Sequence, residues 1–241
     1  MTRTWHRPSW FAILLAAVGL AFFLGLGSWQ IDRAHQKERL FAAFAVAKDA
    51  PAVSLADARR TQAAASRYPR VEVTGHYDAT HGYLLDNRFH AGRIGVLAFA
   101  VFEPTDGSTP LLVARGWLGR DRDGQMPRVP PIPQGEQHLH GLYAPPPGSG
   151  LRLGNALPDQ SAWPKVVLYV DPAEIGADIG RTLDDRVLLL DAEASSAFVR
   201  DWRPQVFPPA RHYGYAFTWF AFALLTVGLF VGLHWRRRDA A

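Results

Sequence analysis

The chain contains no cysteine. Disulfides, thiolate metal centres and cysteine nucleophiles are therefore excluded. Methionine is almost as scarce, at Met1 and Met126 only. Soft Cu(I) sites draw on Cys and Met, so a copper carrier is disfavoured. No nucleophile elbow, P-loop, dinucleotide fingerprint or HExxH motif occurs, and there is no internal repeat or low-complexity tract. Concentrated charge is rare as well. The net charge is +4, yet the one dense basic run is Arg236 to Arg238. It follows an apolar stretch, so it reads as a topology signal before a nucleic-acid patch.

What the chain does have is two long uncharged stretches. Tyr213 to Leu233 carries no full charge, and neither does Pro8 to Ile31. Each matches the roughly 20 apolar residues of a bilayer-crossing helix. The first has a rival reading as a secretory signal, with Gly25-Leu26-Gly27 at a cleavage site. Its apolar run exceeds the usual h-region, which points to an uncleaved anchor. Ala17, Ala21 and Gly25 form a stripe of small residues at every fourth position, as do Gly228 and Gly232. Such stripes let helices approach closely. The expected order is a tail at 1–9, a span at 10–31, an outer segment at 32–210, a span at 211–235 and a basic tail at 236–241. Arg236 to Arg238, with Arg3 and Arg7, place both termini in the cytoplasm. Lipid contact follows from the spans. Trp10 and Trp235 then mark the inner interface, and Trp29, Tyr213 and Tyr215 the outer one.

The first helix is expected to continue to about Ala47, with Pro51 as its breaker. Ser54 caps a short helix ending near Ser66. From Arg70 the period changes to two. In RVEVTGHY, Val71, Val73 and Tyr77 face one way, and Glu72, Thr74 and His76 the other. Further strands are expected at 82–88, 94–103, 110–118, 136–143, 165–170 and 186–191, with a hairpin turn at Asp106-Gly107. A short helix is expected at 172–180. The fold class is thus membrane α+β: two spanning helices flanking a mainly antiparallel β-barrel or sandwich with a few short helices.

Within the outer segment chemical signals are weak. His138 and His140 share a strand face, but no third ligand lies near them in sequence, so they read as a surface pair. Arg88 and Arg115 are expected to pair with a carboxylate such as Asp86, to cross to a sheet edge, or to hold an anionic group. The mouths of the spans are more specific. Trp29, Gln30 and Arg33 end the first, and Arg211, His212, Tyr213 and Tyr215 open the second, with Trp219 deeper. At one outer level they would assemble an imidazole, an amide, aromatic walls and cations.

Five blocks also resemble one family. LGSWQIDRAHQK at 26–37 is similar to the N-terminal signature of the Surfeit locus protein 1 family of cytochrome c oxidase assembly factors, and RHYGYAFTWF at 211–220 to its C-terminal signature. RVEVTGHY at 70–77, LLDNRFHAGRIGV at 84–96 and LLVARGWL at 111–118 resemble its internal blocks, in order. Two departures stand out. Ala114 replaces a frequent Asn, and Thr218 replaces a frequent Gln before Trp219.

The resemblance implies a non-enzymatic assembly factor that serves oxidase subunit I and binds heme a near the outer face, with heme a synthase as a further partner. No nucleic-acid partner is implied. His212 is then the candidate axial ligand to the heme iron. Arg211 and Arg33 would pair with propionates. Trp29, Tyr215 and Trp219 would pack on the macrocycle, and Gln30 or Tyr213 would bond a polar substituent. Because no Ser- and Arg-rich extension precedes the first span, a bacterial inner membrane is expected, with the central segment periplasmic. Two rivals stay open. One is a heme-free chaperone that stabilises subunit I. The other is a membrane enzyme using Asp86, Arg88 and His90, for which no catalytic spacing argues.

Overall fold

The computed structural model describes residues 3–61, 68–147, 156–158, 160–204 and 206–237. It divides into two compact units, one formed by 1–41 with 206–241 and the other by 42–205. Arg238 and the end of the expected second helix beyond residue 61 lie outside the described residues.

The first unit is built on two helices. Helix α1 covers Trp10–Asp49 and begins where Ser9 accepts the Ala12 amide on its hydroxyl. At 1.5 Å per residue its 40 residues run about 60 Å, roughly twice a hydrocarbon core. Helix α4 covers Pro209–His234, with Pro208 at its cap and proline again at the first helical position, where no amide partner is needed. Both are long and apolar enough to cross a membrane. They run antiparallel: Gly19 meets Thr226, Phe23 stacks on Trp219 with centroids 6.0 Å apart, and Glu38 meets Tyr213. At the other end β1 (Arg3–Trp5) pairs antiparallel with β9 (Trp235–Arg237).

The small-residue stripes are not what joins the helices. A Cβ added at Gly25, Gly228 or Gly232 would meet open space. The close approach is at Gly27, where a Cβ would lie 2.6 Å from the Phe220 ring. The helices mesh glycine against aromatic ring rather than small against small, because aromatic bulk on α4 fills the gap between them.

The second unit holds a seven-stranded sheet. Its strands are β2 (Val53–Ser54), β3 (Arg70–His90), β4 (Arg93–Pro104), β5 (Leu111–Gly119), β6 (Glu136–Ala144), β7 (Lys165–Val167) and β8 (Val187–Leu190). Two short helices join them, α2 (Leu55–Thr61) and α3 (Pro172–Asp178). Asp171 caps α3 by accepting the Ala173 amide at 2.9 Å, and Ser54 caps α2 through the Asp57 amide at 3.1 Å. The strand path runs β2-β3-β4-β5-β8-β6, and β6 pairs back to β3.

This sheet is mixed, where a mainly antiparallel barrel or sandwich was expected. β2 and β7 pair parallel to β3, and β8 pairs parallel to β5. More than a dozen residues of chain separate the strands of each parallel pair, as parallel pairing requires. The two expected strands at 70–77 and 82–88 are one strand. Between Tyr77 and Gly82 the register shifts, and the Asp78 carboxylate accepts the Thr80 and His81 amides at 2.9 and 3.1 Å. A bulge replaces the expected break. At Gly116, φ is +133°, and a Cβ would sit 2.6 Å from Phe198. Glycine is needed there so that β5 can bulge and Trp117 can bridge to Val199.

The core is apolar: Val71, Phe102, Leu111, Val113, Tyr143 and Leu188 pack in one cluster with Leu55 and Ala58 of α2. A polar network lies beside it. Buried Asp184 takes the Tyr143 hydroxyl at 2.6 Å, the Arg186 amide at 3.0 Å and the Arg59 Nε at 2.7 Å. Burial and the bond to Asp184 push the Tyr143 phenol well above its ordinary pKa.

Candidate functional site

The site of interest lies in the helical unit, where α1 and α4 meet. Gln30 is buried on α1, and its Oε1 lies 2.8 Å from His212 Nδ1 on α4. A carbonyl oxygen only accepts, so in the neutral ring Nδ1 carries the proton and Nε2 holds the lone pair. Nε2 is buried and has no hydrogen-bond partner among the described residues. Buried polar atoms are nearly always paired, so each exception asks for an explanation. A neutral imidazole held by its Nδ1–H, with Nε2 free, is the form in which histidine ligates a metal.

The remaining residues singled out in the sequence fall into smaller groups. Arg33 stacks on Trp29 with its guanidinium carbon 5.6 Å from the ring, and donates to Gln36 at 2.9 Å. Arg211 lies over Phe207 at 4.0 Å and over Tyr215 at 6.0 Å. Tyr213 donates to Glu38 at 2.9 Å. Trp219 packs with Phe22, Phe23 and Phe222. Thr218 donates to the Gly214 carbonyl at 3.1 Å, so its hydroxyl is spent on its own helix. The structure thus brings together His212 with Gln30, Arg33 with Trp29, and Arg211 with Tyr215. It also adds residues that sequence reasoning did not select: Glu38 as the partner of Tyr213, and Phe23 and Phe220 as the aromatic wall. Glu38 sits in the charged flank of α1, and only helix pairing reveals what it meets.

The sheet unit corrects the reading of Arg115. Arg115 is buried and donates to the Pro130 and Pro131 carbonyls at 3.0 and 2.7 Å, with Phe198 beneath it at 4.7 Å. It pins the proline-rich loop to β5 instead of pairing with a carboxylate. Burial lowers its pKa, with the charge of nearby Arg200 adding to this and Tyr77 opposing it. The Tyr77 phenol is itself pushed up to about 12 by burial, against the opposing pull of Arg115 and Arg200. Asp86 accepts from Arg120 at 2.7 Å. Arg88 and His90 line a cavity with Trp117 and Trp202. The Trp117 indole donates to the Arg88 carbonyl at 2.9 Å. Asp86 is paired with Arg120 and is not among the residues that line this cavity.

Two helices of membrane-crossing length, one before and one after a mixed sheet with short helices in chain order, define a class: membrane-associated proteins with a sheet-bearing segment between apolar terminal helices in sequence. Within that class the chain belongs to the SURF1 family, whose profile matches residues 17–224. The family is associated with cytochrome oxidase assembly and is one of assembly factors, not a known enzyme family. No curated protein matches the chain.

Proposed function

We propose that the protein assists cytochrome c oxidase assembly by holding heme a at the outer mouth of its two helices and passing it to subunit I. The observation that carries this reading is the buried, unpartnered Nε2 of His212, whose other nitrogen is bonded to Gln30. The donor set suits heme iron, since a neutral imidazole is a common axial ligand. Heme is cargo here. His212 would ligate its iron, and Gln30 would keep the tautomer that makes this possible. Arg33 and Arg211 would meet the propionates after leaving their aromatic partners, and Trp29, Tyr215 and Trp219 would offer apolar surface to the ring. Tyr213 is tied to Glu38, which leaves Gln30 as the first candidate to bond a polar substituent.

The proposed setting is a bacterial inner membrane, with both termini cytoplasmic and residues 32–210 periplasmic. Heme a synthase would supply the heme. The test is the absorbance spectrum of detergent-purified protein co-expressed with heme a synthesis. A heme a spectrum at near one per chain is expected. Colourless protein under abundant heme a would instead favour a chaperone that stabilises subunit I without heme.

A further inference from the structure

The pairing of β3 with β6 does something that the sequence does not announce. It sets Glu72 opposite His140 and Thr74 opposite His138. Residues two apart on a strand share a face, and directly opposed residues lie within side-chain reach. The four side chains therefore form one patch. Glu72, His138 and His140 each offer a ligand atom, and these atoms lie within 4.8 Å of one another. The His140 Nδ1 is 4.0 Å from the Glu72 carboxylate, and the two imidazole centroids are 4.6 Å apart at 85°.

We propose that Glu72, His138 and His140 form a binding site for a divalent first-row transition-metal ion of the Zn²⁺ or Cu²⁺ type. Imidazole suits both ions, and two histidines with one carboxylate is a known set that leaves a coordination position open to water. With ligand bonds near 2.0–2.2 Å, neighbouring donors of a tetrahedral ion lie about 3.4 Å apart. The three ligand atoms lie within 4.8 Å of one another, so they need to close by no more than about 1.4 Å to reach that spacing.

The surroundings support the same reading. His138 Nδ1 lies 2.7 Å from Thr74 Oγ1. When Nδ1–H donates to that oxygen, Nε2 presents its lone pair, which is how an outer partner orients a ligating histidine. One row further along, the same register sets His76 opposite Glu136, adding a carboxylate that favours a cation nearby. The site lies in the sheet unit and is independent of His212 and of heme.

The test is calorimetric titration of the full-length protein, purified in detergent without a histidine tag, with Zn²⁺. One saturable ion per chain is expected. His138→Ala, His140→Ala and Glu72→Gln should each weaken it by about tenfold or more, and Thr74→Val by less. In the wild type, which involves no altered side chain, bound Cu²⁺ should show electron-spin couplings to two imidazole nitrogens. Absence of saturable Zn²⁺ binding by the wild type, equal binding by the double variant His138→Ala/His140→Ala, or Cu²⁺ without imidazole coupling would each overturn the proposal.

Discussion

The Gln30 amide oxygen and the His212 Nδ1 lie 2.8 Å apart across the two terminal helices. This one bond fixes a proton on Nδ1, and in the neutral ring it leaves the buried Nε2 with the lone pair. It joins residues that are 182 positions apart in the chain. Its role can be separated from that of the imidazole itself. Gln30→Leu keeps the histidine but frees its tautomer and ring orientation. Heme retention should fall by about tenfold, a loss typical of a missing outer partner, with spectral position nearly kept. Unchanged retention would show that the bond only packs the helices.

Gly27 should tolerate no side chain. An added Cβ would sit 2.6 Å from the Phe220 ring, so Gly27→Val must displace that ring or the helix that carries it. Overpacking of this kind costs about 1–3 kcal/mol. Thermal unfolding in detergent should shift down accordingly, and Phe220→Ala placed in the same chain should recover part of the loss.

The Asp184 network should be the most sensitive polar feature of the sheet unit. Asp184→Ala would strand the Tyr143 hydroxyl and leave the Arg59 guanidinium only its bond to the Thr109 carbonyl. Removing one partner of a buried pair costs about 3–5 kcal/mol. Loss of near-ultraviolet ellipticity at a lower temperature is the expected outcome. Asp184→Asn, which keeps the shape and one acceptor, should cost less.

Acid should weaken the bulge in β3. Burial raises the Asp78 pKa, but hydrogen bonds from the His81 ring and from the Thr80 and His81 amides outweigh it, so the net shift is downward. A carboxylate depressed in the folded state stabilises above its unfolded pKa of about 3.9, and that contribution is lost as pH falls through the lower folded value. Asp78→Asn should therefore destabilise at neutral pH and converge with the wild type in strong acid. A difference that persists unchanged at the lowest pH would show that charge on Asp78 is not involved.

How much of this was legible in the sequence varies by element. The period-two alternation at 70–77 was sufficient for a strand, because a half-buried face demands it. The cap at Ser54 marked the start of α2 in the same direct way. The merging of 70–77 with 82–88 was hidden, since Asp78 looks like a strand breaker until its carboxylate is seen to hold the amides of the bulge. The parallel pairing of 112–114 with 187–189 has no local signal at all. At the candidate site, the residue types at the two helix mouths could be selected in sequence. Which of them meet could not, because partnership depends on helix register. Arg115 shows the opposite failure: its type suggested an anion, but burial beside prolines gave it carbonyls instead.

The account depends most on the unpartnered nitrogen of His212, and one comparison tests it directly. Wild type and His212→Ala, each co-expressed with heme a synthesis, are purified in detergent and their absorbance spectra are normalised to protein. The account predicts that His212→Ala accumulates to the wild-type level and carries far less heme a. Equal heme with an unchanged spectrum in His212→Ala would contradict it.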